Sequence, residues 1–182
     1  MKKITFIGLG VMGFPMAGHL SNQGYKVTVY NRSEEKSKLW IKKYAGNYST
    51  SVSEAVADSD IVFSCVGNDS DLRDITLGHD KAFSGMKAGS VFVDHTTTSS
   101  DIAIELSEIA KKYNIHFLDA PVSGGEVGAL KGELTVMIGG ENLIFDRINS
   151  IIRAYAKNIT LIGGPGKGQL AKMVNQICIA GL

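Results

Sequence analysis

Apolar positions along the chain follow two alternating patterns. Short β-branched runs alternate with longer segments in which apolar residues recur at helical spacing. The short runs predict strands at 3–7, 25–30, 60–66, 90–95, 115–120, 134–140 and 159–164. The longer segments predict helices at 11–21, 34–45, 53–58, 100–113 and 142–156, with a last helix from about Gly166. Strands that alternate with helices predict an α/β fold with a doubly wound, mostly parallel sheet.

Two helix starts carry local signals. Pro15 falls in the first turn of the helix at 11–21, where backbone N–H groups lack partners in any case. Ser33 is the predicted cap of the helix at 34–45, and Glu34 and Glu35 lie at the positive end of its dipole.

The last predicted helix has an apolar surface that no later part of the sequence covers. Its apolar residues are Leu170, Met173, Val174, Ile177 and Ile179. We therefore expect residues 1–163 to form one domain. Residues 164–182 would begin a long helix that packs on a further domain of a longer protein or on another subunit.

The composition bounds the class of protein. Of 182 residues, 44% are hydrophobic and 20% charged, and 19 basic residues nearly balance 18 acidic ones. We expect no nucleic-acid or membrane partner, since no net field attracts either and no apolar stretch approaches the roughly 20 residues of a membrane span. Cys65 and Cys178 have neither metal-ligand nor redox spacing, which predicts no metal site and a reducing, cytoplasmic location.

The first twenty residues admit two interpretations. Two lysines before an apolar run resemble a secretory signal, but glycines and Pro15 interrupt the run and no polar cleavage region follows. The same stretch holds Gly8, Gly10 and Gly13 in the spacing G-x-G-x-x-G, after a predicted strand and before a predicted helix. That context favours a dinucleotide site over export.

Each glycine of this motif has its own task. Gly8 permits the tight turn, Gly10 lets the backbone approach a pyrophosphate, and Gly13 allows close packing of helix and strand. N–H groups at the helix start would hold the pyrophosphate. The predicted cofactor-binding loop comprises Gly8, Leu9, Gly10, Val11, Met12 and Gly13. A glycine-rich turn without a ligand is the alternative.

The end of the second predicted strand bears on the choice of cofactor. NAD-binding domains usually carry an acidic residue there, which holds the ribose 2′-hydroxyl. This chain has Asn31 and Arg32 instead. An arginine can bind a 2′-phosphate with two hydrogen bonds, so the pair favours NADP over NAD. The alternative is that both are ordinary turn residues.

Two later segments offer polar groups for a substrate. Ser123, Gly124 and Gly125 follow a predicted strand, where open α/β sheets place their ligands, and could hold a carboxylate. Lys172 and Asn175 lie one turn apart on the last helix. Burial among apolar neighbours would lower the pKa of Lys172 and make it an acid/base, whereas a solvated lysine is the alternative.

These three segments together resemble one family. The stretches "FIGLGVMGFPMA", "DAPVSGG" and "GKGQLAKMVNQ" are similar, in order and over the whole chain, to the β-hydroxyacid dehydrogenases. That family includes 3-hydroxyisobutyrate dehydrogenase, tartronate semialdehyde reductase and 6-phosphogluconate dehydrogenase. The resemblance implies a Rossmann-type domain and hydride transfer between a nicotinamide cofactor and a small 3-hydroxy acid or its semialdehyde.

The resemblance also implies residue roles. Lys172 would be the catalytic acid/base, Asn175 would hydrogen-bond the substrate, and the Ser123, Gly124 and Gly125 loop would hold its carboxylate. Some members place the asparagine one residue later, where this chain has Gln176.

Two further cofactor contacts follow from the resemblance. Val66 and Gly67 belong to a loop that lies against the cofactor, although Gly67 stands where members have a proline. Thr97 would lie beside the nicotinamide. His95 is expected to pack or to face solvent.

The resemblance is to the N-terminal part of longer enzymes. Their helical second domain closes the cleft, contributes to binding and forms much of a dimer interface. We therefore expect little or no turnover by these 182 residues alone, and a homo-oligomer at full length. A non-catalytic NADP-binding module and an imine-reductase-like enzyme are the alternatives.

Overall fold

The computed structural model describes residues 2–181 as an α/β fold. Two residues lie outside the described part: Met1, the first residue of the predicted domain 1–163, and Leu182, the last residue of the predicted helical segment 164–182. The strands are β1 Lys3–Ile7, β2 Lys26–Tyr30, β3 Asn47–Tyr48, β4 Ile61–Ser64, β5 Val91–Asp94, β6 His116–Asp119, β7 Val122–Ser123, β8 Leu134–Gly139 and β9 Ala156–Gly163. The helices are α1 Gly13–Asn22, α2 Glu34–Lys43, α3 Val52–Val56, α4 Asp69–Thr76, α5 Ala82–Gly85, α6 Ser100–Lys112, α7 Gly125–Lys131, α8 Asn142–Ile152 and α9 Lys167–Ala180.

The strands form one mostly parallel sheet. Its first six strands run in the order β3-β2-β1-β4-β5-β6, and every neighbouring pair among them is parallel. β8 pairs antiparallel with β6 and β7, and β9 pairs parallel with β8. The strand order reverses between β1 and β4, which is where open sheets of this kind bind ligands. The predicted doubly wound fold is confirmed.

Helices cover both faces of the sheet because its strands are apolar on both sides. Phe6 and Phe63 point into one core, together with apolar residues of α1, α2 and α8. Ile7 and Val62, their neighbours along the strands, point into a second core with residues of α3, α5 and α6. Successive side chains of a strand face opposite sides, so near-continuous apolar runs are what a sheet buried on both faces requires.

The structure contains elements that the hydrophobic pattern did not predict. β3 and β7 have two residues each, too few to show a period. α4 is polar and buries only Leu72 and Thr76, while α7 contains two glycines. α5 has four residues. These segments are held by their contacts with the sheet rather than by a pattern of their own.

Some predicted boundaries and caps differ. α1 begins at Gly13 rather than at residue 11, and α8 ends at Ile152, which lets β9 begin at Ala156. Ser33 holds the cap position of α2, but its hydroxyl donates to the Glu35 carboxylate at 2.8 Å instead of accepting a backbone N–H. The nearby carboxylate is the stronger acceptor for that hydroxyl.

The last helix reverses the usual arrangement of an amphipathic helix, because its buried residues include polar ones and its large apolar residues are exposed. Gly168, Gln169 and Lys172 are buried against the sheet. The apolar residues predicted from the sequence lie on the other side and are exposed, with Val174 61% and Ile177 71% accessible. Within residues 2–181, no helix is both long and apolar enough to cross a membrane.

Candidate active site

The glycine loop joins β1 to α1 at the carboxyl edge of the sheet. Gly8 has φ +95°, and a Cβ atom there would collide with the Cys65 carbonyl oxygen. A Cβ atom on Gly13 would collide with the Gly8 carbonyl oxygen. Both glycines are therefore required by the packing of the protein itself. A Cβ atom on Gly10, by contrast, would meet nothing within 4 Å. The open space beside Gly10 is available to a ligand.

That space belongs to a cavity of about 640 Å³, called here the cleft, between the ends of β1, β2 and β4. Of the predicted cofactor-binding residues, those that line it are Gly8, Gly10, Asn31, Arg32, Val66 and Gly67. Leu9, Val11, Met12, Gly13 and Thr97 lie outside its lining. The structure therefore brings together the glycine loop, the end of β2 and the loop after β4, called here the β4 loop, as the sequence motifs predict.

Asn31 organises the glycine loop. Its Oδ1 accepts a hydrogen bond from the Leu9 backbone N–H at 2.8 Å, and its Nδ2 donates to the Ser33 carbonyl oxygen at 3.0 Å. The Leu9 side chain is buried in the core. The polar residue at the β2 end thus sets the loop conformation, a task that the sequence motif did not reveal.

Charged groups of both signs surround the outer part of the cleft. Arg32 is exposed, and its Nη1 lies 3.3 Å from Asp71 Oδ1. Lys36 and Lys81 add two further cations to the lining, and Asp74 adds a second carboxylate. Arg32 is recognisable from the sequence, whereas Asp71 is not, because it lies in α4, a helix that the hydrophobic pattern does not predict.

The inner wall of the cleft is fixed by Thr96. Its hydroxyl accepts a hydrogen bond from the Val66 backbone N–H at 3.0 Å and donates to Asp94 Oδ1 at 2.6 Å. Desolvation of the buried Asp94 carboxyl raises its pKa to about 7. Thr97, the residue singled out from the sequence, is exposed one position later. The role expected of Thr97 is a place beside the nicotinamide, and the bond from Thr96 to the β4 loop is a separate contact that the sequence did not indicate.

His95 is buried behind the cleft, and Cys65 is a partly buried residue of the cleft lining. His95 packs on Phe63 and hydrogen-bonds through its two ring nitrogens to the Ala120 carbonyl oxygen at 2.6 Å and the Tyr155 hydroxyl at 2.8 Å. Burial lowers the pKa of His95 to about 4 and raises the pKa of the Cys65 thiol to about 12. His95 packs, which is one of the two outcomes expected for it.

Asp119 anchors the start of α9. Its two carboxylate oxygens accept hydrogen bonds from the backbone N–H groups of Gly166 at 2.8 Å and Gln169 at 2.9 Å. Burial raises the pKa of Asp119, although these donors act in the opposite direction. The carboxylate satisfies N–H groups that have no partner inside the helix and lies at the positive end of its dipole.

The Gln169 side chain ties α9 to the wall of the cleft. It is fully buried, donates from Nε2 to the Thr96 carbonyl oxygen at 2.7 Å, and accepts at Oε1 from the Thr98 N–H at 3.1 Å. The helix and the β4 loop therefore both depend on Thr96. Asp119 and Gln169 lie inside motifs quoted from the sequence, but the motifs did not indicate that these side chains fix α9 by hydrogen bonds.

Lys172 lies one turn after Gln169 on the buried face of α9. It is 7% exposed, and burial lowers its pKa. Within the described residues, no neighbouring carboxylate raises that pKa. A lysine that is desolvated and has no counter-ion gives up its proton more readily than a solvated one. Of the two alternatives that the sequence left open for Lys172, a buried or a solvated side chain, the structure has the buried one.

The Ser123 loop approaches the same helix. Asn175 Nδ2 donates to the Ser123 hydroxyl oxygen at 3.5 Å. Gly124 and Gly125 follow with φ values of +126° and +59°, a backbone path that favours glycine. Gln176, the alternative position for the amide, is exposed. The second and third sequence motifs therefore meet in space.

Comparison with known proteins agrees with this geometry. Residues 3–163 match the family described as the NAD binding domain of 6-phosphogluconate dehydrogenase. The chain is 54% identical over its full length to an uncharacterized oxidoreductase of Shewanella frigidimarina, of which it covers 62%. It is 36% identical over 98% of its length to 2-hydroxy-3-oxopropionate reductase of Escherichia coli, of which it covers 60%.

Solved structures extend the comparison. Mycobacterium tuberculosis 3-hydroxyisobutyrate dehydrogenase, solved with L-serine, superposes with a TM-score of 0.93 at 29% identity, over 99% of this chain and 60% of that one. An imine reductase from Myxococcus stipitatus superposes with a TM-score of 0.89 over 100% of this chain and 62% of that one. At 22% identity, the second match shows a common fold alone.

Fold and cleft together define a dinucleotide-binding domain of an oxidoreductase. The chain belongs to the β-hydroxyacid dehydrogenase family, and residues 3–163 correspond to the dinucleotide-binding domain of that family. The chain spans less than two thirds of the length of the relatives that it matches.

Proposed function

We propose that this chain is the cofactor-binding part of an NADP-dependent β-hydroxyacid dehydrogenase and carries its catalytic lysine. The observation that carries the proposal is the meeting of three motifs at one edge of the sheet. The glycine loop lines the cleft, Gln169 joins the cleft wall to α9, and Asn175, one turn after Lys172 on that helix, reaches Ser123. A domain that only binds a dinucleotide would need no buried lysine beside a hydroxyl and an amide.

The residues of the cleft fit a dinucleotide. No atom of the protein would exclude a side chain at Gly10. The open space beside it therefore suits a pyrophosphate at the start of α1. Such a cofactor would accept or donate the hydride at its nicotinamide ring. Val66 and Gly67 would contact it from the β4 loop, and Thr96 would position that loop.

The chain's own groups would orient the substrate and move its proton. The Ser123 hydroxyl and the Gly124 and Gly125 backbone would hold the carboxylate of a small 3-hydroxy acid. Asn175 would hydrogen-bond the substrate, and Lys172 would take the proton from its hydroxyl oxygen during oxidation and return it during reduction. Burial of Lys172 supports this role because a lowered pKa brings a lysine closer to the pH at which it can exchange a proton.

Arg32 supports NADP rather than NAD. It stands in the cleft lining at the β2 end, where a carboxylate would select the 2′-hydroxyl of NAD. Its guanidinium would bind a 2′-phosphate, with Lys36 and Lys81 adding positive charge nearby.

The proposal includes an arrangement for the whole protein. Residues 1–163 would be the NADP-binding domain and residues 164–182 the start of an interdomain helix, in a cytoplasmic homo-oligomer. The exposed apolar face of α9 supports this, since it requires a covering element. The 182 residues alone would bind cofactor and show little or no turnover, because the site beside Lys172 is open to water. Substantial turnover of a 3-hydroxy acid by the purified chain would contradict this part.

Fluorescence titration of the chain with NADPH and NADH tests the cofactor site. We expect saturable binding with a preference for NADPH. Gly10→Leu should fold, since open space surrounds the glycine, yet lose both cofactors because its side chain fills the pyrophosphate approach. Stronger binding of NADH would overturn the cofactor choice. Equal binding by the Gly10→Leu variant would overturn the assignment of the cleft.

A further inference from the structure

Asp71 reaches the cleft from an element that the glycine motif does not include. It lies in the first turn of α4, where its backbone N–H donates to the Asn68 side chain at 3.0 Å. Its side chain is 29% exposed and lines the cleft, with Oδ1 3.3 Å from Arg32 Nη1. The one arginine at the β2 end thus has a carboxylate partner supplied by α4.

Gly67 makes room for this carboxylate. A Cβ atom on Gly67 would collide with Asp71 Oδ2, and no backbone atom stands in its way. The φ angle of Gly67 lies outside the left-handed region, so other residues could adopt its backbone conformation. The carboxylate of Asp71 is therefore the group that excludes a side chain at position 67. Gly67, which stands where members of the family have a proline, thus leaves the space that the Asp71 carboxylate occupies beside Arg32.

The ion pair between Arg32 and Asp71 is weak enough for another anion to replace the carboxylate. The Arg32 side chain is 89% exposed, and ion pairs in such surroundings contribute little to stability. A phosphate dianion is a stronger partner for a guanidinium than a single carboxylate is. A carboxylate that stays beside the guanidinium would nevertheless repel that dianion at short range. NADH carries no 2′-phosphate and would be spared this repulsion.

We propose that Asp71 is a specificity-determining residue of the cleft, which competes with the 2′-phosphate of NADP for Arg32 and thereby moderates the preference for NADPH over NADH. This rests on the proposed function, in which Arg32 binds the 2′-phosphate. Gly67 acts through Asp71, because its missing side chain lets the carboxylate reach Arg32.

Titration of the whole chain with NADPH and NADH tests the proposal. Asp71→Asn keeps the shape of the side chain and removes its charge, and should lower the dissociation constant of NADPH by roughly three- to tenfold while leaving that of NADH unchanged. Asp74→Asn is the matched control, because it removes a charge from the same cleft without breaking the pair. Its effect on NADPH should be clearly smaller.

A double-mutant cycle separates competition from a general change of charge. Gly67→Ala displaces the carboxylate, so it should raise the ratio of NADPH to NADH affinity, and this gain should vanish in the Asp71→Asn background. An unchanged ratio in Asp71→Asn, an equal gain in Asp74→Asn, or a loss of NADH affinity alone would each overturn the competition.

Arg32→Ala distinguishes the two proposals. If it lowers the ratio of NADPH to NADH affinity while Asp71→Asn has no effect, the inference about Asp71 fails and the cofactor assignment stands. If it leaves the ratio unchanged, the assignment of Arg32 to the 2′-phosphate fails as well. Binding of neither cofactor to any variant would overturn both.

Discussion

The cleft and α9 are two neighbouring regions that differ in how completely the chain builds them. Loops from three strand ends surround the cleft, and Asn31 and Thr96 hold those loops by short hydrogen bonds. α9 is fixed on one side by Asp119 and Gln169, while its opposite side exposes apolar residues.

This difference bears on which region would bind the cofactor and which would be needed for turnover. The wall of the cleft is formed within the sheet domain, so cofactor binding is expected of the chain as it stands. Lys172 is positioned by the same domain, but the face of α9 next to it meets solvent. Turnover requires the exclusion of water from the reacting atoms, which the present elements do not provide on that side.

The largest expected effect falls on α9, which carries the proposed acid/base. Lys172→Met keeps the apolar stem and removes the ammonium, so turnover of a 3-hydroxy acid in the protein at the length of its relatives should fall by roughly 10²- to 10⁴-fold. Steady-state kinetics measures this, with cofactor binding retained. Lys167→Met, an exposed lysine of the same helix, is the matched control and should keep its turnover. Unchanged turnover in Lys172→Met would remove the acid/base role of this lysine.

The next effect lies in the glycine loop and separates packing from binding. Gly13→Ala places a methyl group against the Gly8 carbonyl oxygen, which should lower the free energy of unfolding by about 2–3 kcal/mol. Gly10→Ala meets no atom and should leave that free energy nearly unchanged. Urea denaturation of both variants measures the difference. Equal destabilisation would show that Gly10 also serves packing, and the argument for a ligand beside it would lose its basis.

The last effect concerns the buried groups between the two regions and is spread over several pH units. Asp94 has a pKa of about 7 in the folded protein against 3.8 as the ordinary value, so the folded state binds more protons between these pH values. The contribution of Asp94 to stability therefore falls as pH rises from about 4 to 7. His95 acts oppositely between about pH 4 and 6.5, because its folded pKa is lowered.

Asp94→Asn should remove the falling contribution. Relative to the unsubstituted chain, its free energy of unfolding should rise by up to about 1.4 kcal/mol per pH unit from pH 4 to 7. Denaturant titrations at several pH values measure this difference. Asp58→Asn, at an exposed position, controls for the loss of one negative charge. A constant difference between Asp94→Asn and the unsubstituted chain would contradict the raised pKa.

Prediction from sequence succeeded where one short stretch carries the whole physical signal. Apolar strands buried on both faces and the glycines of the first turn follow from residue type and spacing. Prediction failed at α4, whose buried contribution is Leu72 and Thr76, and with it Asp71 was missed. The hydrogen bond by which the Thr96 hydroxyl holds the β4 loop was missed as well.

The sequence by itself determined the doubly wound fold, the glycine turn and the family, because hydrophobic periodicity and glycine stereochemistry act over a few neighbouring residues. Only the tertiary structure decided which polar groups meet. Asp71 reaches Arg32 across 39 residues, and Gln169 reaches Thr96 across 73. Hydrogen bonds and ion pairs depend on distances between groups, and those distances exist only after the parallel strands have brought their carboxyl ends to one edge of the sheet.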